Sequence, residues 1–227
     1  MAKPPIMDDT GRALVSAAVG KAEEQTAGEI VTILADHSDS YADIALVWSA
    51  AVAMLALCML ASFSAFYLGL WDRLLGTWVQ EWTSGQIFAL AAGAAAIKFA
   101  GMWLIQLYRP LRLWLVPPPI KHARVRARAV TCFKVGAERR TQGRTGVLIY
   151  LSMAERRAEI VADEAIASKV APEVWGDALA ALLLQIKAGN MAQGLALAAE
   201  KVGAVLAEHF PRAEDDVNEL PDRLIEV

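Results

Sequence analysis

Histidine and cysteine are scarce: the 227 residues hold three of the first, His37, His122 and His209, and two of the second, Cys58 and Cys132. No histidine stands in metal-ligand spacing or beside a Ser and an Asp in a triad order, so zinc chemistry and Ser-His-Asp hydrolysis are not read here. Cys58 falls inside an apolar run and Cys132 in a later helical stretch, so no disulfide between them is expected. The first twenty residues lack a long apolar run behind a basic region, which speaks against a cleavable signal. Ser152 has no glycine elbow around it and reads as a strand residue. The segment 143–146 carries two glycines but not the lysine and helix that would cradle a phosphate. It reads as a turn.

Charge is missing where its absence matters most. The chain is 56% apolar, against about 45–50% for ordinary soluble domains, and the excess is concentrated. No charged residue stands between Ile44 and Trp71. A helix rising 1.5 Å per residue needs about 20 apolar residues to cross a hydrocarbon core of ~30 Å. Residues 44–71 exceed that, and residues 86–108 form a second run of sufficient length. Lys98 lies near the middle of the second, where a lysine costs about 2.5–3.5 kcal/mol on insertion scales. It is expected to snorkel or to meet a local water defect. Ala89, Gly93 and Ala96 lie near one small-residue face that would let two spans approach. Trp48, Trp71, Trp78, Trp82, Trp103, Tyr108 and Trp114 gather mostly near the span ends, as interfacial aromatics do.

The basic residues give an orientation. The stretch joining the spans, residues 71–84, holds Arg73 alone, whereas Arg109, Arg112, Lys121, Arg124, Arg126 and Arg128 follow the second span. Positive charge marks the cytoplasmic side, and two spans return the chain to the side it left. Both termini are therefore expected in the cytoplasm of a bacterial cell, with the protein in the inner membrane. The basic run invites a nucleic-acid reading, but it flanks a membrane segment in a chain of net charge −3. Attraction to anionic headgroups, about 1 kcal/mol per basic residue, accounts for it.

Outside the hairpin the pattern is that of a small mixed domain. Residues 8–26 have apolar positions at helical spacing, with Asp8 and Asp9 at the favourable positive end and Gly28 beyond the far end. Residues 29–36 are short and β-branched, a buried strand. Residues 37–43 form a polar linker. After the second span Pro117, Pro118 and Pro119 halt the helix. Residues 121–140 read as helix, 146–153 and 157–162 as two strands joined tightly around Glu155 and Arg156, and 164–170, 173–188 and 191–209 as helices. Residues 212–227 form an acidic tail, with Glu214, Asp215, Asp216 and Glu219 followed by Leu220, Leu224 and Ile225; it reads as mobile or as a partner-binding segment. The charges Glu155, Arg156, Arg157 and Glu159 read as a solvated edge, or as a docking patch, since charge is how edge strands are protected.

One strand cannot form a sheet alone. The strand at 29–36 precedes the hairpin and its candidate partners at 146–162 follow it. The fold class is therefore α+β: a small sheet of three or more strands packed by helices, with a two-helix transmembrane hairpin inserted. The parts are residues 1–43 and 117–211 for the domain, 44–116 for the hairpin and 212–227 for the tail.

The order of a helix, the strand GEIVTILAD (28–36), a later helix, the run RTGVLIYLSMAERRAEIVAD (144–163) and terminal helices resembles the TPM-domain family. Residues 8–36 and 121–211 carry the resemblance, most clearly 141–163. That family includes thylakoid lumen proteins of photosystem repair and many bacterial membrane proteins, a subset of which has two spans in this place. The resemblance implies a small sheet between helices. Some members bind calcium near loops of the sheet, and plant members have been proposed as acid phosphatases. The family's glycine-rich turn with a nearby acid after the second sheet strand corresponds here to Ala162, Asp163, Glu164, Ala165 and Ile166, without the glycines. Carried onto this chain, Asp163 and Glu164 are the candidate metal ligands, while Asp163 alone also reads as a helix N-cap. Calcium takes six to eight oxygens, so two carboxylates are a partial set.

The expected function is a membrane-anchored, non-catalytic TPM-like domain that assists the assembly or maintenance of other membrane proteins. Its partners are the lipid bilayer, other membrane proteins and further copies of itself, and not nucleic acid. The alternative is a calcium-dependent, acid-phosphatase-like hydrolase, which rests on the resemblance alone.

Overall fold

The computed structural model describes residues 5–75, 82–136, 145–212 and 222–227. Along the chain these form α1 (Asp9–Glu23), β1 (Glu29–Ala35), α2 (Ala42–Ser62), α3 (Ser64–Leu75), α4 (Ser84–Ile105), α5 (Arg109–Leu115), α6 (Pro118–Gly136), β2 (Gly146–Ser152), β3 (Arg157–Ala162), α7 (Glu164–Ala167), a 3-10 turn (Pro172–Trp175), α8 (Gly176–Lys187), α9 (Met191–His209) and β4 (Ile225–Glu226). They divide into two compact units, one of Met1–Asp39 with Pro118–Val227 and one of Ser40–Pro117.

The first unit is α+β. Its sheet has the order β3-β2-β1-β4. β1 lies parallel to β2 in a register running from Glu29 opposite Gly146 to Ala35 opposite Ser152. β3 returns antiparallel to β2. Every residue of β1 and β2 is buried, as expected of parallel strands covered on both faces. On one face Ile30, Leu34, Val147, Ile149 and Leu151 pack with Val15 and Val19 of α1, Leu182 of α8 and Leu195, Val202 and Leu206 of α9. On the other, Val31, Ile33, Leu148 and Tyr150 meet Val125, Ala129 and Phe133 of α6. The sheet therefore sits between α6 and a layer of α1, α8 and α9.

Several sequence expectations change in detail. Asp8 caps α1, its Oδ1 accepting from Gly11 N at 2.9 Å, but the helix stops at Glu23 rather than at Thr26. Gly28 lies beyond that end, where a Cβ would stand 3.0 Å from Leu206. The prolines do halt the helix before them: α5 ends at Leu115, with Val116 extended ahead of Pro117, but Pro118 also opens α6, where a missing N–H costs nothing. Residues 137–140, assigned to that helix from the sequence, lie outside the described residues, as does most of the 141–146 turn. The tail is the largest correction. Leu224 is buried in the main core, and Ile225–Glu226 adds a fourth strand parallel to β1. The rest of its acidic and apolar pattern, Glu214, Asp215, Asp216, Glu219 and Leu220, is outside the described residues.

The second unit is helical. The first apolar run is not one helix, because it breaks at Phe63 (φ −120°, ψ 36°) into α2 and α3. This leaves α2 with 21 residues and α4 with 22, each about 30 Å long. α4 opens on a capping box: Gln86 N donates to Thr83 Oγ1 at 3.3 Å and Thr83 N to Gln86 Oε1 at 3.0 Å. Gln106 is fully buried and joins the two helices, its Nε2 donating to Ala45 O at 3.1 Å, Ser49 Oγ at 3.3 Å and Met102 O at 3.1 Å. The small-residue face does not make the helix contact expected of it. A Cβ on Gly93 would meet open space, and Ala89, Gly93 and Lys98 instead line a groove of about 690 Å³ among α2, α3 and α4. Residues 76–81 of the stretch joining α3 and α4, Trp78 among them, lie outside the described residues.

Candidate functional site

Parallel strands leave their loops at one end, and ligands of open α/β sheets gather beyond the carboxyl ends. At that end of β1 and β2 the chain builds a polar cluster. Two backbone bonds tie the exits together, Met153 N to Ala35 O and Ala154 N to Asp36 O, both 2.9 Å. Arg156, with φ +52°, turns the chain into β3. This places Glu155 beside the loop after β1. Its carboxylate accepts from Ser38 N at 3.1 and 3.3 Å and from the hydroxyl of Ser152. Ser38 Oγ and the Tyr150 hydroxyl share a hydrogen bond of 3.1 Å. Burial raises the Tyr150 phenol above its ordinary value, with the Ser38 bond pulling the other way. Tyr150 is thus a neutral donor and acceptor. Burial also raises the neighbouring Cys132 thiol, against the opposing pull of Arg128, so the thiolate that would make it a nucleophile is disfavoured.

A second set lies between α6 and the sheet. Glu159 is buried and receives His122 Nδ1 and Arg126 Nη1, both at 3.3 Å. Arg124 Nη1 stands 3.2 Å from Asp39 Oδ2. The charge run 155–159 is therefore not a solvated edge. Its two glutamates are buried and engaged while Arg156 is exposed, because the tight turn and the alternation of β3 send the acids inward. Part of the basic run 109–128 is likewise spent on neighbouring carboxylates.

Asp163 and Glu164 lie at the opposite end of β2. Asp163 N donates to Gly146 O at 2.9 Å, and its Oδ2 accepts from Gly146 N at 3.2 Å. It occupies the N-cap position of α7, yet its side chain makes no hydrogen bond to that helix. The carboxylate closes the β2–β3 ladder instead. Glu164 begins α7 and points to solvent while Asp163 is buried, so the two side chains do not converge. Among the described residues no three His, Cys, Asp or Glu side chains gather as a metal site.

A carboxyl cluster that sequence reasoning missed surrounds Glu23, the last residue of α1. Glu23 is buried, and its Oε1 accepts from Ile30 N at 2.7 Å. Its pKa is pushed up to about 8, first by burial, with Glu29 and Asp222 adding to the rise and the Ile30 bond opposing it. Glu155 had a local signal, a Ser and a Glu three residues apart across a tight turn. Glu23 had none, because its neighbours come from β1 and from the C-terminal segment.

Residues 120–205 match the sequence model of the TPM domain, a stretch reaching from α6 into α9. The resemblance read at 8–36 falls outside it. No curated protein matches the chain. Among solved structures, the BA42 protein of the psychrophilic bacterium Bizionia argentinensis is similar in fold, with a TM-score of 0.57 and 21% identity over 100% of both chains.

Proposed function

We propose that this chain is a membrane-anchored, non-catalytic TPM-like protein: α2 and α4 cross the bilayer, and the α+β unit docks other membrane proteins during their assembly or maintenance. One observation carries the anchor. Only 11% of the apolar window in Ala42–Ser62 is buried, and none of that in Ser84–Ile105. A core helix of a soluble protein would be mostly covered. Here Leu46, Val47, Met54, Leu55, Phe88, Ile97 and Leu104 are exposed, and lipid is the solvent that suits them. The excess of basic residues after α4 supports a cytoplasmic location for both ends in a bacterial inner membrane. With Arg124 and Arg126 paired to Asp39 and Glu159, headgroup attraction rests on Arg112, Lys121 and Arg128.

The non-catalytic reading is supported by what the buried acids do. Glu23, Glu155 and Asp163 each hold a backbone N–H, a structural task that competes with proton transfer. The test is crosslinking in native membranes followed by identification of the captured proteins. A defined membrane-protein partner set, unchanged when Asp163 and Glu164 are replaced by Asn and Gln, is expected. Turnover of a phosphate ester that calcium stimulates and those replacements abolish would overturn it in favour of the hydrolase. A reporter in the 76–81 segment should read as extracytoplasmic; a cytoplasmic signal there would reverse the orientation.

A further inference from the structure

The last six residues, Asp222, Arg223, Leu224, Ile225, Glu226 and Val227, are held by several separate contacts. Glu226 Oε2 accepts from Ile6 N at 2.7 Å and its Oε1 from Met7 N at 3.2 Å. Val227 N donates to Leu34 O at 3.0 Å, and Asp36 N to Val227 O at 3.1 Å. Ile225 lies opposite Ile33 in the parallel register. Leu224 is buried in the main core. At the near end Asp222 is hydrogen-bonded to Glu23, and a Cβ on Gly20 would stand 2.8 Å from Asp222 Oδ2. The surface along β1 thus reads an extended hexapeptide by two acids, two apolar side chains and its backbone. This is recognition by strand addition, in which the ladder gives affinity and the side-chain contacts give selectivity.

The occupant is nonetheless lightly attached. Its ladder contains two residue pairs, and so short a ladder opens at small cost. Nine residues, 213–221, separate it from Arg212, a length that reaches about 30 Å when extended. Exchange of such an element between identical chains preserves every one of its contacts, and so has a small free-energy cost.

We propose that the edge of β1 is an acceptor site for an extended peptide, filled by the chain's own residues 222–227 and, by exchange, by those of a second copy. The inference stands independently of whether α2 and α4 cross a membrane.

The register supplies the test. In a background of Cys58→Ala and Cys132→Ala, full-length copies carrying Ile33→Cys are mixed with copies carrying Ile225→Cys and oxidised. The expected product is a covalent dimer whose linked peptides contain positions 33 and 225. One chain carrying both substitutions serves as the geometric control and should crosslink internally. If that control closes while the mixture yields no 33–225 linkage, exchange is ruled out. If the control itself fails to close, the β1–β4 seat is absent and the proposal falls with it. Should Ile33→Cys impair folding, a labelled peptide Asp-Arg-Leu-Ile-Glu-Val is added instead to the full chain carrying Glu226→Gln, whose own tail has a weaker hold on Ile6 and Met7. Saturable binding, tighter than to the unmodified chain, is expected; no saturable binding to either chain overturns the acceptor site.

Discussion

Single side chains close the ends of the sheet. Glu155 receives two partners, Ser38 from the loop after β1 and Ser152 from the end of β2. Glu155→Ala leaves Ser38 N and Ser152 Oγ without an acceptor, at a cost of about 2–3 kcal/mol; the melting temperature should fall by about 5 °C or more. Glu23 makes stability depend on pH. Its ordinary pKa of 4.5 rises to about 8 in the fold, so between those values the folded chain keeps a proton that the unfolded chain has lost. Stability should therefore decline as pH rises from about 4.5 to about 8 and level off above, by an amount of the order of a few kcal/mol. Glu23→Gln should flatten that slope and stabilise the protein at pH 8, as read by denaturant titration at several pH values; an unchanged slope would count against the shift. Asp8 was legible as a cap because capping is local. Glu23 and Asp163 were not legible in their true tasks, because each holds the backbone of another strand, and Glu155 carried a local signal only toward Ser152 and not toward Ser38.

At the level of elements, β1, β2 and β3 were readable from β-branched, apolar runs bounded by turn residues. Their pairing followed from the need of a lone strand for partners. β4 escaped because two residues carry no periodicity, and its partner lies some 190 positions earlier. The break at Phe63 escaped as well, since uniform hydrophobicity marks where a helix is apolar and not where it bends. Packing between helices yields a paired prediction. A Cβ on Gly203 of α9 would stand 2.5 Å from the Ala22 Cβ of α1, so Gly203→Ala should destabilise by about 1–3 kcal/mol. Gly176, at the start of α8, faces open space with helical dihedrals. There the same substitution should be neutral or stabilise by up to about 1 kcal/mol through the unfolded chain. Thermal unfolding of the two variants side by side separates these outcomes.

For the molecule as a whole, the α+β unit carries its own core on both faces of the sheet. Asp39, before the inserted helices, pairs with Arg124, after them. A chain in which residues 40–117 give way to a short flexible linker should therefore fold, retain a cooperative melt and stay in the aqueous phase on detergent partition. Loss of the melt would show that the helical unit is needed to hold the sheet. The parallel pairing of β1 with β2 has a temporal consequence. One hundred and ten residues lie between Ala35 and Gly146, and at about 5–20 residues per second a ribosome needs roughly 6–20 s to make them. Throughout that interval β1 is an apolar strand with both edges open, while the helices behind it are already being synthesised. The helices of the second unit are made before the sheet can close, so a translational pause within residues 36–145 would lengthen the exposure of β1, and a chaperone that shields nascent strands would be of most use there.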